Sequence, residues 1–567
     1  MNVNLQSFRN SEGASRKLAL PGSRMWPYGP AGLPRPTERV LTLAWLSDKL
    51  PDRFISETLA RRVHAETGRN VALVSLEERE HPVNGFNDGQ HYAMLNVDTS
   101  GSMLMPVMAG PVAHMRVQVP VEGVSEGMLD SMLTQLKEHY HYVLLHLGPE
   151  VPVALLVESF VQSDKSFLFL QPTSVNLYHR ELLMRVLRGQ TRTETLNLRT
   201  IICREQGEAH SNQLLKEMGD SIHGFVHGCP PPALAHGIRH WGEKVFHADI
   251  RRLAREIGHC RVGMALSSGG ARGLSHIGII QVFEENGIEV DVIAGCSMGS
   301  YVGSVWAYGY DGIFMERLAR EVEKRWGLLE LVDPFILPRQ GFLRGEKVKH
   351  RLKRSIGDVH FSELARPLRV VATNLATLER VVISSGEVAA AVHASSAIPG
   401  ACIPVEIGGE RYIDGGIADP LPVDVLEEMG IERIIAVNTI PTASYLRARH
   451  EMEREHAALR RKRSNKLKAL FNKYLNYFAP GNILDIILRS FHGAQMHVAE
   501  MSSLRAHVVL RPLSFDGRWH DFRRPGKYIA LGRREAEEHM DEVKALLRQK
   551  ETAHESEPAQ DTVAPVA

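Results

Sequence analysis

Two residues far apart in the chain have types and neighbours that could do chemistry: Ser297, in Gly295-Cys296-Ser297-Met298-Gly299, and Asp414, ahead of Gly415-Gly416. A serine hydroxyl is a poor nucleophile unless it sits exposed on a sharp strand-to-helix turn beside a base. Glycines at 295 and 299 remove Cβ atoms where such a turn crowds its neighbours. One βαβ unit earlier lies a small-residue loop, Ser267-Ser268-Gly269-Gly270-Ala271-Arg272-Gly273. Its backbone N–H groups at Gly269, Gly270, Ala271, Arg272 and Gly273 are candidate donors to the oxyanion of a tetrahedral intermediate, aided by the positive end of the next helix. A lone G-x-S-x-G turn is weak evidence, whereas one following a glycine loop by a single βαβ unit is hard to obtain by accident. Asp-Gly-Gly alone makes an Asx turn easily. Its place after the loop and the elbow, at the end of a short apolar approach, marks Asp414 as more than a turn residue.

The elements that must position these groups follow from apolar run lengths. Val262 to Leu266 is short enough for a buried strand, and Leu274, Ile277, Ile280, Val282 and Phe283 then recur at helical spacing until Asn286-Gly287. Val290 to Ala294 is the second strand and delivers the chain into the elbow. Both strands are parallel, so the loop and the elbow share one end of the sheet. Further on, PLRVVATNL and RVVISSG are strands, a small-residue helix runs from Val388 to Ala397, and a hairpin turns at Gly408-Gly409. An aspartate near pKa 3.9 is a feeble base, so burial has to raise it before it can take a proton. Such a site suits esters better than amides.

With 67 Lys+Arg against 66 Asp+Glu, the formal net charge is +1, and no global field recruits nucleic acid. The 567 residues exceed one ordinary core, and 44% apolar with 23% charged residues describes a globular protein. Cys203, Cys229, Cys260, Cys296 and Cys402 have no C-x-x-C spacing, which argues against a zinc site and for a reducing compartment. No signal peptide and no spanning apolar run are apparent, so the expected location is cytoplasmic, with a peripheral place at the inner membrane face. His223, His227, His236 and His240 fit no ligand spacing and read as loop histidines, with Cys229-Pro230-Pro231-Pro232 as a linker. No metal and no cofactor is expected.

The organisation reads as a flexible leader (1–37), an α/β domain (38–255), a second α/β domain (256–535), and a helix end with a disordered tail (536–567). In the first domain VLTLAWLS is a strand, ISETLARRVHAETG a helix and NVALVSLE a strand, and the alternation continues to LRTIICRE. This half resembles the deviant P-loop ATPases that partition chromosomes and place division sites, but both of their chemical motifs are missing. The chain reads SDKLPDRFI after its first strand, with Lys49 but no G-K-[ST], and His146 stands where a metal-side acid would be needed. The expectation is a degenerate shell that does not bind ATP and serves packing, partner binding or regulation.

The C-terminal half resembles the patatin-like phospholipases, and in particular the bacterial relatives of neuropathy target esterase. GGARG at 269–273, GCSMG at 295–299, ASSAIPG at 394–400 and YIDGG at 412–416 carry the resemblance. It implies a three-layer α/β/α domain and a Ser-Asp dyad, with Ser297 as nucleophile, Asp414 as base, the loop 269–273 as oxyanion hole and Arg272 bracing it. It also implies fatty-acyl esters of phospholipids or lysophospholipids as substrates. Ser267 and Ser268 depart from the family's longer glycine run, and Cys296 from its usual threonine. The leader is too short for a regulatory cyclic-nucleotide domain. Two other readings stand beside it: a catalytically silent partner-binding protein, and a Ser-His-Asp esterase drawing on His450, His456, His492, His497, His507, His520 or His539. His276, in GLSHIG, reads as helix packing near the site. Residues 460–491 carry basic residues from Arg460 to Lys473, interleaved with Leu467, Phe471, Tyr474 and Phe478, with no acid before Asp485. Such a stretch is a candidate contact with an anionic membrane, or a helix packed on the sheet with a solvated basic face.

Overall fold

The computed structural model describes residues 38–78, 93–96, 112–119, 127–190, 197–205, 222–231, 243–323, 333, 343–459, 483–514, 517 and 520–548. The expected leader, the basic stretch up to 482, the residues after 548, and His236 and His240 lie outside the described residues.

The first half alternates as the apolar runs demand. In order come β1 (Val40–Trp45), α1 (Asp52–Thr67), β2 (Val71–Glu78), β3 (Ala93–Asn96), β4 (Val112–Val119), α2 (Met128–His139) and β5 (Tyr142–Leu147). There follow α3 (Val153–Gln162), β6 (Lys165–Leu170), α4 (Ser174–Gln190), β7 (Leu198–Glu205), β8 (Ile222–Cys229) and α5 (Lys244–Ile257). The sheet has the order β3-β4-β2-β5-β1-β6-β7-β8 and every pairing is parallel. Phe54, Ile55, Leu59, Phe246, Ile250 and Leu253 cover one face from α1 and α5, while Met132, Leu136, Leu156, Phe160, Leu183 and Leu187 cover the other. In a sheet covered on both faces the central strands are buried at every position, as β1 and β6 are.

The histidine reading needs correction at two positions. His223 and His227 lie within β8, not in a loop. His223 bonds Glu256 of α5 at 2.9 Å, and His227 Nε2 donates to the Ser362 carbonyl at 3.0 Å. Glycine and histidine in β8 hide its strand character, since neither residue favours the sheet.

The second half begins with β9 (Val262–Leu266), a 3₁₀ turn (Gly270–Leu274), α6 (Ser275–Glu285), β10 (Val292–Cys296), α7 (Met298–Tyr308), α8 (Gly312–Arg320) and α9 (Glu346–Ile356). It continues with β11 (Leu368–Asn374), β12 (Arg380–Ile383), α10 (Val388–Ser395), β13 (Val405–Ile407), β14 (Glu410–Asp414), α11 (Val423–Glu428) and β15 (Arg433–Val437). The last elements are α12 (Ala443–Leu459), α13 (Ile483–Ser503), β16 (Val508–Leu510), α14 (Pro525–Glu538) and α15 (Met540–Arg548). The sheet order is β13-β14-β11-β10-β9-β15-β16, with β12 paired to β11. The central strands β11, β10, β9, β15 and β16 are parallel, and β12, β13 and β14 join antiparallel. Apolar clusters on both faces of this sheet make three layers. Met540, Val543 and Leu546 belong to the larger cluster, so this core runs through α15, past the expected division at 535.

Helices α6 and α14 touch backbone to backbone. A Cβ on Gly278 would strike the Ile529 carbonyl, and one on Gly532 the Ser275 carbonyl. That contact fixes the helix that follows the glycine loop. The two sheets are joined through α5: Arg255 bonds Glu66 at 2.8 Å and Asp291 at 3.2 Å, and Asp291 accepts the Val262 amide at 2.7 Å. Arg204 reaches the Ser362 carbonyl at 3.1 Å beside His227. Residues Arg39–Ala567 form one compact unit.

Candidate functional site

β10 ends at Cys296 and the chain reverses at Ser297, which has φ 52° and ψ −117°. Few non-glycine residues hold a positive φ, and such strain persists only where the surroundings enforce it. Here they do. A Cβ at 295 would lie 2.7 Å from the Ser300 Cα, and one at 299 would overlap the Leu266 carbonyl. Only glycine fits either place, and α7 starts directly at Met298.

Asp414 ends β14, opposite Ala372 of β11, where β11 lies next to β10. Its Oδ1 accepts the Gly416 amide at 2.8 Å and its carbonyl accepts from Thr373 Oγ1 at 3.1 Å. The Ser297 side chain lies beside the same carboxyl group. Burial raises the Asp414 pKa to about 6, with the Gly416 amide and the Ser297 side chain pulling it down. The structure thus brings together the two residues singled out in the sequence.

The glycine loop meets the elbow from the neighbouring strand. A Cβ on Gly273 would clash with the Met298 side chain, and Gly270 takes φ 57°. Ser267 and Ser268, in place of glycines, anchor the loop. Ser268 N–H donates to the Pro420 carbonyl at 2.8 Å, and Thr439 Oγ1 to the Ser268 carbonyl at 2.9 Å. The Ser267 hydroxyl accepts the Thr439 amide at 2.9 Å. Ser268 needs no positive φ. The Arg272 amide turns inward, donating to the Gly269 carbonyl at 3.3 Å, and that of Gly273 falls within the 3₁₀ turn. Of the expected donors, those of Gly269, Gly270 and Ala271 stand ahead of the turn's own bonds. The Arg272 guanidinium is buried, its pKa lowered to about 10 by desolvation, with Tyr445, Tyr528 and Arg449 near it. His276 Nε2 donates to the Ser267 carbonyl at 3.0 Å, and burial lowers its pKa to about 4, so it is a neutral brace under the loop.

Residues 264–427 match the family model described as patatin-like phospholipase. The chain carries a patatin-like phospholipase domain. Over 178 residues it is 41% identical to an uncharacterized NTE family protein of Mycobacterium bovis, covering 31% of this chain and 49% of that one. Over 194 residues it is 34% identical to lysophospholipase NTE1 of Candida glabrata, covering 34% of this chain and 11% of that one. The chain therefore spans about half the length of the mycobacterial relative and a small part of the yeast one. Among solved structures, a ParA family ATPase from Chlorobium tepidum matches at a TM-score of 0.27 and 12% identity, over 39% of this chain and 92% of that one. The type III effector ExoU matches at 0.25 and 13%, over 51% and 54%. Scores this low add nothing to the sheet topology already described.

Around the patatin-like site, three residues escaped the sequence. Ser395 Oγ accepts the Ser297 amide at 2.8 Å. Gln495, from α13, buries its amide against Gly416, where a Cβ would overlap its Nε2. Thr439 holds the loop. Each acts through a contact between distant segments, and no local spacing signals that. Cys296 is fully buried, and desolvation with the nearby Asp414 and Asp419 charges raises its thiol pKa. Of the downstream histidines, His507 accepts the Ile434 amide and His539 bonds the Glu535 carbonyl. Among the described residues none bonds Ser297 or Asp414, and no group of three or more His, Cys, Asp or Glu could hold a metal.

In the first sheet, the helix after β1 opens with a charged side chain of the chain itself. Asp52 opens α1, takes the Arg53 amide at 2.7 Å and faces His146 Nε2 at 3.5 Å, and His146 Nδ1 meets Ser56 Oγ at 2.9 Å. A carboxylate of the chain itself occupies the helix N-terminus that would attract a phosphate. Among the described residues no helix is long and apolar enough to cross a membrane.

Proposed function

We propose that the protein is a serine lipid-ester hydrolase acting on fatty-acyl esters of phospholipids or lysophospholipids through a Ser-Asp dyad. The observation that carries this is the Ser297 hydroxyl on a strained elbow, beside a buried carboxyl whose pKa is raised to about 6. Above that pH Asp414 is ionised and can accept the hydroxyl proton as Ser297 Oγ bonds to the acyl carbonyl carbon. The carbonyl π electrons move onto oxygen, where the amides of Gly269, Gly270 and Ala271 stabilise them. Collapse expels the glycerol alkoxide, which takes the proton back from Asp414 and leaves an acyl-serine. Water then loses a proton to Asp414, attacks the acyl carbon and releases the fatty acid, and Ser297 recovers its proton. An acid poised near pH 6 is a far better base than an ordinary aspartate, and the hydrolysis needs no metal step.

The named relatives and the match over 264–427 support lipid esters as the substrate class. The reading places the protein in the cytoplasm, with the sheet of residues 38–255 as a partner platform. The basic segment 460–491, described only from Ile483, would be its contact with anionic lipid. A fluorophosphonate probe tests the reading. Wild type should label, Ser297→Ala should not, and Asp414→Asn should label and hydrolyse lysophospholipid at least ~1,000-fold more slowly, the scale of losing a triad member. An unlabelled wild type would favour the silent binding protein, and loss of labelling on removing one downstream histidine would favour a triad.

A further inference from the structure

We infer that Ser395 is the positioning residue that holds nucleophile and base in register, through the last turn of α10. This rests on the dyad reading above. The Ser395 side chain is fully buried, and its hydroxyl is committed in two directions: it accepts the Ser297 amide at 2.8 Å and donates to the Val371 carbonyl at 2.6 Å. Val371 is the β11 residue paired with Cys296, immediately before the nucleophile. Two residues further along, the Ala397 carbonyl accepts the Asp414 amide at 2.9 Å. The stretch Ser395-Ser396-Ala397 therefore grips the backbone of both reacting residues, one by a side chain and one by the main chain.

The elbow explains why a hydroxyl is needed. At φ 52° and ψ −117° the Ser297 peptide is strained and buried, and its N–H points back to Ser395 instead of into a strand ladder. Without an acceptor, that N–H and the Val371 carbonyl would both be left unpaired in the interior, which is costly. The cheapest relief is rotation of the Cys296–Ser297 peptide, which swings Oγ away from the Asp414 carboxyl. No small apolar residue can replace this two-way bond. A misplacement of this size acts on the chemical step more than on substrate binding.

Threonine and valine have nearly the same shape, so Ser395→Thr and Ser395→Val differ mainly in the hydroxyl. Fluorophosphonate labelling and lysophospholipid hydrolysis, both per folded molecule, should be about tenfold or more faster in Ser395→Thr, with KM within about twofold between the pair. Equal rates in the two variants would overturn the assignment, as would a difference confined to KM. Should the added methyl groups unfold both, Ser395→Ala is the smaller change. It should label about tenfold more slowly than wild type, and labelling at the wild-type rate would overturn the assignment. Wild type that fails to label removes the hydrolase reading and this inference together, whereas labelled wild type with equal Thr and Val variants removes only the inference.

Discussion

The two parallel sheets of this chain treat the C-terminal ends of their strands in opposite ways. In both, a central strand runs into a turn and then a helix whose N-terminus could receive an anion or a developing negative charge. After β9 the turn is made of small residues, and the first amides of Gly270–Leu274 precede the turn's own bonds. After β1 the helix opens with Asp52, and His146 and Ser56 close over it. The contrast teaches that the shared architecture says little about activity. What matters is whether the strand ends are left open by glycine or filled by the chain's own side chains.

The largest expected effect sits at the open end. Gly299→Ala drives a Cβ into the Leu266 carbonyl, a backbone atom that cannot move without dislocating β9. The expected result is loss of soluble folded protein or destabilisation of at least ~3 kcal/mol by thermal or urea unfolding, together with loss of labelling. Near wild-type stability would mean that the elbow is much looser than the packing around it indicates.

Next comes a trade of stability against activity at Asp414. Its pKa is raised from 3.8 to about 6, so between those values the folded state binds more protons than the unfolded one. The stability this group contributes is complete below the unfolded value and is lost as pH rises through the folded value. Burying the carboxylate at neutral pH thus costs about 3 kcal/mol, an order-of-magnitude figure. Asp414→Asn should then be inactive yet melt several degrees higher than wild type at pH 7.5, with the gap closing toward pH 4. Hydrolysis by wild type should rise with pH through a midpoint near 6. A midpoint near 4, or a variant less stable at every pH, would place the base elsewhere.

Much of the open end was legible because its signals are local. Short apolar runs gave β9 at its observed bounds and the strand before the elbow two residues early, and Gly408-Gly409 gave the β13–β14 hairpin, where both glycines take positive φ. Ser395 lay within a quoted motif, yet its bond to Ser297 crosses from α10 to the elbow and has no periodicity to betray it. Gln495 and Thr439 escaped for the same reason. The filled end was not legible: nothing in SDKLPDRFI says that Asp52 turns inward to meet His146. Strand β8 was missed because its glycines and histidines dilute the apolar pattern, while its pairing to β7 decides its state.

The smallest effect sharpens the contrast from the filled side. If Asp52 stands where a phosphate would, ATP with Mg²⁺ should leave the melting temperature of the wild type unchanged at millimolar concentration. A ligand that binds only the native state raises stability in proportion to the logarithm of its concentration over Kd, so a flat response is informative. Asp52→Ala removes the carboxylate from the first turn of α1 and leaves His146 and Ser56 without it. The helix end loses a favourable charge, so a drop of about 1 kcal/mol is expected. Because α1 is linked toward the second sheet through Glu66 and Arg255 of α5, at the far end from Asp52, hydrolysis should stay within about twofold of wild type. A nucleotide-dependent shift in wild type would show that the first sheet is still a ligand site. A large fall in hydrolysis in Asp52→Ala would show that the two strand ends, so differently furnished, are coupled across α5.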